Sequence, residues 1–320
     1  MVILEDIDEN KRLSKEEKED LINQLEKKIQ NYPLNEDDAL SREKLAELHI
    51  SLAYVYSDYE ESYDEAMAHF FNALRLLKHG TKLQKATLKG SIGSMCYAKK
   101  DFTNAARYYR ESLSLLEDLH EREIMIGKKG LGMSLFGLGV FEQGIEKLLE
   151  AAEICVDVSD INNYMDIILI LKKYYASKND WEIVIEFEKK ALKILQQMDN
   201  DYEISMSFLE LGLLYSKLSD YQSALTMFKK SVNAAIKHGS NKVIYQGLIM
   251  VAETLFNLRE IDESKAEYLK ALSLAEFMGN EEEVKKLKII LTNLNCSQKR
   301  IKNAIEKGKM EKRRPKKYKK

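Results

Sequence analysis

The chain has 320 residues, 45% of them hydrophobic and 32% charged, with a formal net charge of -2 at pH 7. No run approaches the ~18 apolar residues of a membrane span, and the acidic opening MVILEDIDEN has too short an apolar stretch for a secretory signal, so a cytoplasmic location is expected. Cys96, Cys155 and Cys296 stand far apart and form no CxxC pair, which reads as buried free thiols in a reducing compartment rather than disulfides or a metal site.

A helix is predicted from Ser14 to Asn31, opened by Ser14 with Glu17 three residues later as a capping box. A loop around Pro33 follows, so residues 1–44 read as an N-terminal capping helix and loop. The only other proline is Pro315, and the long stretch between the two permits nearly continuous helix.

From about residue 45 to residue 295 one pattern recurs. Phe102, Phe141, Trp181, Tyr221 and Ile261 follow one another at intervals of 39 to 40 positions, with Tyr63 as an earlier copy. Three residues after the repeating five come Ala105, Gly144, Val184, Ala224 and Ser264. Tyr109, Leu148, Glu188, Phe228 and Tyr268 follow, then Ser112, Ala151, Ala191, Ser231 and Ala271. These steps of three, four and three place each set on one face of a helix. Upstream of each set, Gly93, Gly132, Lys172, Gly212 and Ala252 are followed three residues later by Cys96, Leu135, Tyr175, Tyr215 and Leu255, which describes a preceding helix. Each unit is therefore a helical hairpin, and a fixed period of this size implies stacking, because one hairpin buries its apolar face only against its neighbours.

The first copy, with Ala53, Tyr56, Ala66, Phe70 and Ala73, fits if the turn from Ser57 to Ser62 holds one extra residue. The fourth copy is the least regular. Lys172, Val184 and Glu188 occupy positions that are small or apolar elsewhere, leaving open a bend in the stack, a docking point or a diverged repeat. Gly80, Gly239 and Gly279 are expected as left-handed helix ends, followed by Thr81, Ser240 and Asn280 as N-caps. A seventh first helix is expected near residues 281–294, with Glu281, Glu282 and Glu283 complementing its dipole.

On these residues the chain resembles the tetratricopeptide repeat family over about six units. The resemblance implies an all-α, right-handed superhelical solenoid of antiparallel hairpins. The period exceeds the ~34 residues usual for that family and is similar to that of longer-helix members among bacterial regulatory receptors and scaffold proteins. The family's closing proline is missing. The resemblance also implies a non-catalytic protein-binding or peptide-binding role, with the partner held in a concave groove lined by the first helices.

Groove candidates lie one and four positions after the small residue of each first helix. They include Tyr54, Ser94, Tyr97, Met133, Phe136, Lys173, Leu213, Glu253 and Phe256, with Lys129 and Lys217 extending the face. Their aromatics suit an apolar or amphipathic partner, or else pack between helices. The Lys, Asn and Arg set with which chaperone-binding members clamp a carboxylate is not matched. The bacterial peptide receptors carry an effector module before the array, and the single N-terminal helix predicted here cannot form one.

Charge is distributed unevenly. Residues 296–320 hold twelve Lys or Arg against Glu306 and Glu311, leaving 38 basic and 50 acidic residues in the rest of the chain. This basic C-terminal extension, with Lys312, Arg313, Arg314, Lys316, Lys317, Lys319 and Lys320, is dense enough to bind nucleic acid or another polyanion or an anionic membrane surface, and it can equally fold back on the acidic body. A polyanion-associated factor whose repeats recruit a protein partner is thus the alternative to a groove-binding adaptor. No HExxH, phosphate-binding glycine loop or GxSxG is present, so neither an enzyme, a cofactor nor a metal is expected.

Overall fold

The computed structural model describes residues 14–35, 38–59, 62–117 and 120–313. Among them there are fifteen α-helices and no strand. In chain order they are α1 (Lys15–Gln30), α2 (Ala39–Ser57), α3 (Tyr63–Leu76), α4 (Lys82–Ala98), α5 (Phe102–Leu113), α6 (Glu121–Gly137), α7 (Phe141–Asp157), α8 (Ile161–Ser177), α9 (Trp181–Gln197), α10 (Asp201–Lys217), α11 (Tyr221–His238), α12 (Asn241–Asn257), α13 (Ile261–Met278), α14 (Glu281–Asn293) and α15 (Gln298–Arg313). No described helix is long and apolar enough to cross a membrane. The chain divides into two compact units, residues 1–167 and 168–320, with the division falling inside α8.

In both units the hairpin is held by a small residue on its first helix facing a large one sixteen positions later on its second. A Cβ added to Gly93 would lie 3.2 Å from the Tyr109 ring, one on Gly132 would lie 2.8 Å from Leu148, and one on Gly212 would lie 2.4 Å from Phe228. Ala252 and Tyr268 continue the series within one buried cluster. Tyr109 also presses on Gly130 of the next hairpin, and burial pushes its phenol up to about 12. Serines of two second helices tie their hairpins further. Ser112 donates to the Ala86 carbonyl at 2.6 Å, and Ser231 to the Ser205 carbonyl at 2.7 Å.

The turn between the two helices repeats as closely as the faces do. Lys100, Gly139, Asn179, Ser219 and Arg259 all have positive φ, between 59° and 74°. The residue after each begins the next cap. Asp101 accepts from the Asn104 N–H and Asp220 from the Ser223 N–H, both at 3.1 Å. Gly239 and Gly279 are the expected left-handed ends, and Thr81, Ser240 and Asn280 are N-caps. Gly80 departs from the expectation. It is extended, at φ -67° and ψ 172°, because a 3-10 turn at Leu77–His79 tightens the end of α3.

In the first unit α1 carries the predicted capping box, with Ser14 and Glu17 bonded reciprocally. Its Leu25 is buried with Leu52 and Val55 of α2. The Tyr56 hydroxyl donates to Glu26 of α1 at 2.6 Å, and its ring stacks on His69. His69 in turn shares a 2.8 Å Nδ1 to Nδ1 hydrogen bond with His49, so one ring donates while the other accepts. Burial first, then His69 and Arg75, lower the His49 pKa to about 4. Burial also lowers that of His69, against the opposing pull of Glu26.

The second unit accommodates the irregular fourth copy by a paired exchange. Lys172 stands at the small position of α8 and Glu188 at the large position of α9, and the two form an ion pair with side chains 11% and 5% exposed. Glu188 also accepts from the Ser207 hydroxyl, and Lys172 bonds Glu210 at 2.6 Å. Burial alone would lower the Lys172 pKa, but Glu188 and Glu210 outweigh it and hold the ammonium above its ordinary range. The sixteen-residue pairing is thus kept with charge in place of shape.

The unit ends differently from a seventh hairpin. After α14, helix α15 packs mainly on α13, with Cys296 and Ile301 buried among Leu272, Ala275 and Leu287. A Cβ on Gly308 would lie 2.2 Å from the Ser273 carbonyl oxygen, so glycine is what lets the two backbones approach.

Three outcomes follow from this packing. Gly212→Ala, although helix-favouring by itself, costs about 2 kcal/mol in denaturant unfolding because the added Cβ would lie 2.4 Å from the buried Phe228 ring, which must shift. Lys172→Gly destabilises by about 3 kcal/mol by leaving Glu188 buried without its cation, and adding Glu188→Phe restores most of that loss. For His49 the folded chain refuses a proton that the unfolded chain accepts from about 6.5 downward. Stability is therefore complete above pH 6.5 and falls as the pH drops towards 4, by about 3 kcal/mol. Urea midpoints at several pH values check this, with a flatter profile in His49→Gln.

Candidate functional site

The first helices of the first unit leave a cleft between α2 and α4. Its volume is about 440 Å³. Ala46, Ile50 and Tyr54 recur at four-residue spacing along α2 and supply one wall. Leu83 and Leu88 of α4, with Leu77 from the turn before it, supply the other. Glu43, Glu47, Ser51, Gln84, Thr87 and Ser91 complete the lining. Tyr54 spans the cleft: its hydroxyl is hydrogen-bonded to Ser91 Oγ at 2.6 Å, its ring stands edge-on to Phe70 at 5.3 Å, and it remains 43% exposed. Glu43 accepts from the Gln84 amide, which leaves a carboxylate charge at the mouth. The arrangement is an apolar floor with polar anchors, suited to seating a large aliphatic or aromatic side chain.

The predicted groove residues divide by their place on the helix. Those one position after the small residue face outward: Tyr54, Ser94, Lys173, Leu213 and Glu253 are exposed, and Met133 is half-buried. Those four positions after it are mostly drawn into their own hairpins. Tyr97 packs on Phe102 at 5.4 Å and Phe136 edge-on to Phe141 at 5.5 Å. Phe136 also fills the space beside Gly144, while Phe256 stays 41% exposed. In the first unit Lys129 is engaged by Asn163 at 2.7 Å and Asp166 at 2.9 Å. In the second, the Lys217 ammonium lies 3.8 Å from the centre of the Trp181 ring.

Of these residues only Tyr54 lines the cleft. Ile50, Leu83, Thr87 and Leu88 escape the positional rule because they lie one to three turns nearer the N-termini of their helices. The signal available for them was the Ala46, Ile50, Tyr54 stripe. A cavity of about 440 Å³ in the second unit, lined by α11, α12 and α13 and including Val232, Ile236 and Leu248, contains no predicted groove residue. All three cysteines are buried and free. No cluster of three potential metal-binding side chains occurs among the described residues.

Of the predicted basic tail, Lys312 lies against Gly279 at the C-terminus of α13, where the helix dipole favours a cation. Arg313 closes α15. Arg314, Lys316, Lys317, Lys319 and Lys320 lie outside the described residues.

A tetratricopeptide repeat family model matches residues 207–235 and 245–277, which fall within the α10–α11 and α12–α13 hairpins. No curated protein sequence matches the chain. Among solved structures, apo RapI aligns with a TM-score of 0.56 at 17% identity, over 89% of this chain and 79% of that one. BtubC (BKLC) from P. vanneervenii aligns at 0.55 and 18% identity, over 70% and 92%. The C-terminal part of a tetratricopeptide repeat-containing protein from Cytophaga hutchinsonii aligns at 0.53 and 16%, over 86% and 96%. At such identities the likeness is one of fold. The family match thus covers the α10–α11 and α12–α13 hairpins, and the hairpins before them repeat the same two-helix pairing at a long period of 39 to 40 residues.

Proposed function

We propose that the chain is a non-catalytic adaptor or regulatory receptor that captures a peptide or protein segment on its first helices. The α2–α4 cleft of the first unit is its principal seat. The observation that carries this reading is the cleft's construction, an apolar floor of Ala46, Ile50 and Leu88 under a rim of hydroxyls, an amide and carboxylates. Burying one large apolar side chain there supplies about 2–3 kcal/mol, and the Tyr54 and Ser91 hydroxyls at the rim orient the backbone that brings it. A partner held by several such contacts reaches useful affinity without covalent chemistry. Cytoplasmic action accords with this role.

Thr87 is exposed on the α4 wall, so Thr87→Arg fills the cleft without disturbing the core. Affinity capture from the native cell with wild-type and Thr87→Arg baits, read by mass spectrometry, is expected to lose its main partner at least about tenfold in the variant, with circular dichroism unchanged. Identical captured sets with the two baits would exclude the cleft as the seat.

A further inference from the structure

Between α14 and α15 of the second unit a second cleft opens, of about 360 Å³. Lys288 stands on its α14 wall, Lys302 and Lys309 on its α15 wall, and Ile301 and Ile305 form its floor. Among the described residues Lys288 and Lys309 have no carboxylate partner. Lys302 reaches only Glu306, at 3.9 Å with both side chains exposed, a pairing worth little in water. The cleft is therefore net positive. Lys302 and Lys309 are seven residues apart, about 10 Å along the helix, which is the span of three residues of extended chain.

We propose that this cleft binds an acidic peptide segment, with carboxylate side chains at Lys288, Lys302 and Lys309 and an aliphatic side chain over Ile305. The chemistry of the floor selects a peptide over a nucleic acid. Phosphates gain nothing from isoleucines, and no aromatic side chain lines the cleft to stack a base. The Glu306 carboxylate at the rim also repels a continuous phosphate backbone, whereas a peptide places its acids selectively. The site is separate from the α2–α4 cleft and stands independently of the function assigned there.

Fluorescence anisotropy with the full chain tests it. The probes are a labelled peptide of alternating Glu and Leu pairs, the same peptide with Lys for Glu, and a single-stranded DNA of similar length. The acidic peptide is expected to bind, more weakly as salt is raised from about 50 to 200 mM. Lys288→Glu with Lys309→Glu weakens it roughly tenfold, and Glu306→Lys tightens it severalfold. These are exposed positions, so unchanged circular dichroism is expected throughout. The proposal is overturned if the DNA binds as tightly as the acidic peptide and responds alike to the variants, if the two peptides bind equally, or if the acidic peptide does not bind.

Discussion

The structure depends on one steric constraint, that two helices of a hairpin come close only where a small residue on the first faces a large residue on the second. Gly93 with Tyr109, Gly132 with Leu148 and Gly212 with Phe228 meet it at an unchanging separation of sixteen residues. The separation is fixed because the connecting turn has one conformation, with a left-handed residue at Lys100, Gly139, Asn179, Ser219 and Arg259. Four of those five are not glycine, so the chain accepts a local backbone cost at each turn. The tertiary contact that the turn aligns outweighs it.

Lys172 and Glu188 show that the constraint concerns complementarity rather than particular residue types. A long cation on the first helix requires an anion of similar reach on the second, and Ser207 and Glu210 satisfy the remaining hydrogen-bonding capacity. Such a buried pair adds little stability over apolar packing, yet losing one partner is costly. The two positions therefore change safely only together. The His49 and His69 pair imposes a similar condition on the first hairpin, where one ring must keep a bare Nδ1 to accept, so the bond is lost only when both rings are protonated.

Both surfaces assigned to binding arise where this packing leaves neighbouring helices apart. The α2–α4 cleft is apolar with a carboxylate mouth, and the α14–α15 cleft is lysine-rimmed over isoleucine. Their opposite charges suit different partners. The second exists because α15 docks on α13 rather than forming a close hairpin with α14, a choice made by the close approach at Gly308.

The sequence by itself determined the period, the phase of the helices, the N-caps at Ser14, Thr81, Ser240 and Asn280 and the small-to-large pattern, since these follow from local spacing and from residues whose backbone preferences are strong. It also marked Lys172 and Glu188 as exceptions without revealing that they answer each other, because sixteen residues separate them and only the folded hairpin brings them together. The lysine-rich composition of residues 298–313 obscured the stripe of Ile301, Ala304, Ile305 and Gly308 that makes α15 a packed helix. Among the groove candidates, the sequence spacing placed Tyr97 and Phe136 on the same helix face as the exposed positions. The tertiary structure drew them inward, because Phe102 and Phe141 at the start of the next helix offer an aromatic contact. Which parts of a first helix remain open is decided by where neighbouring first helices separate, and that depends on packing between hairpins rather than on any one segment of the chain.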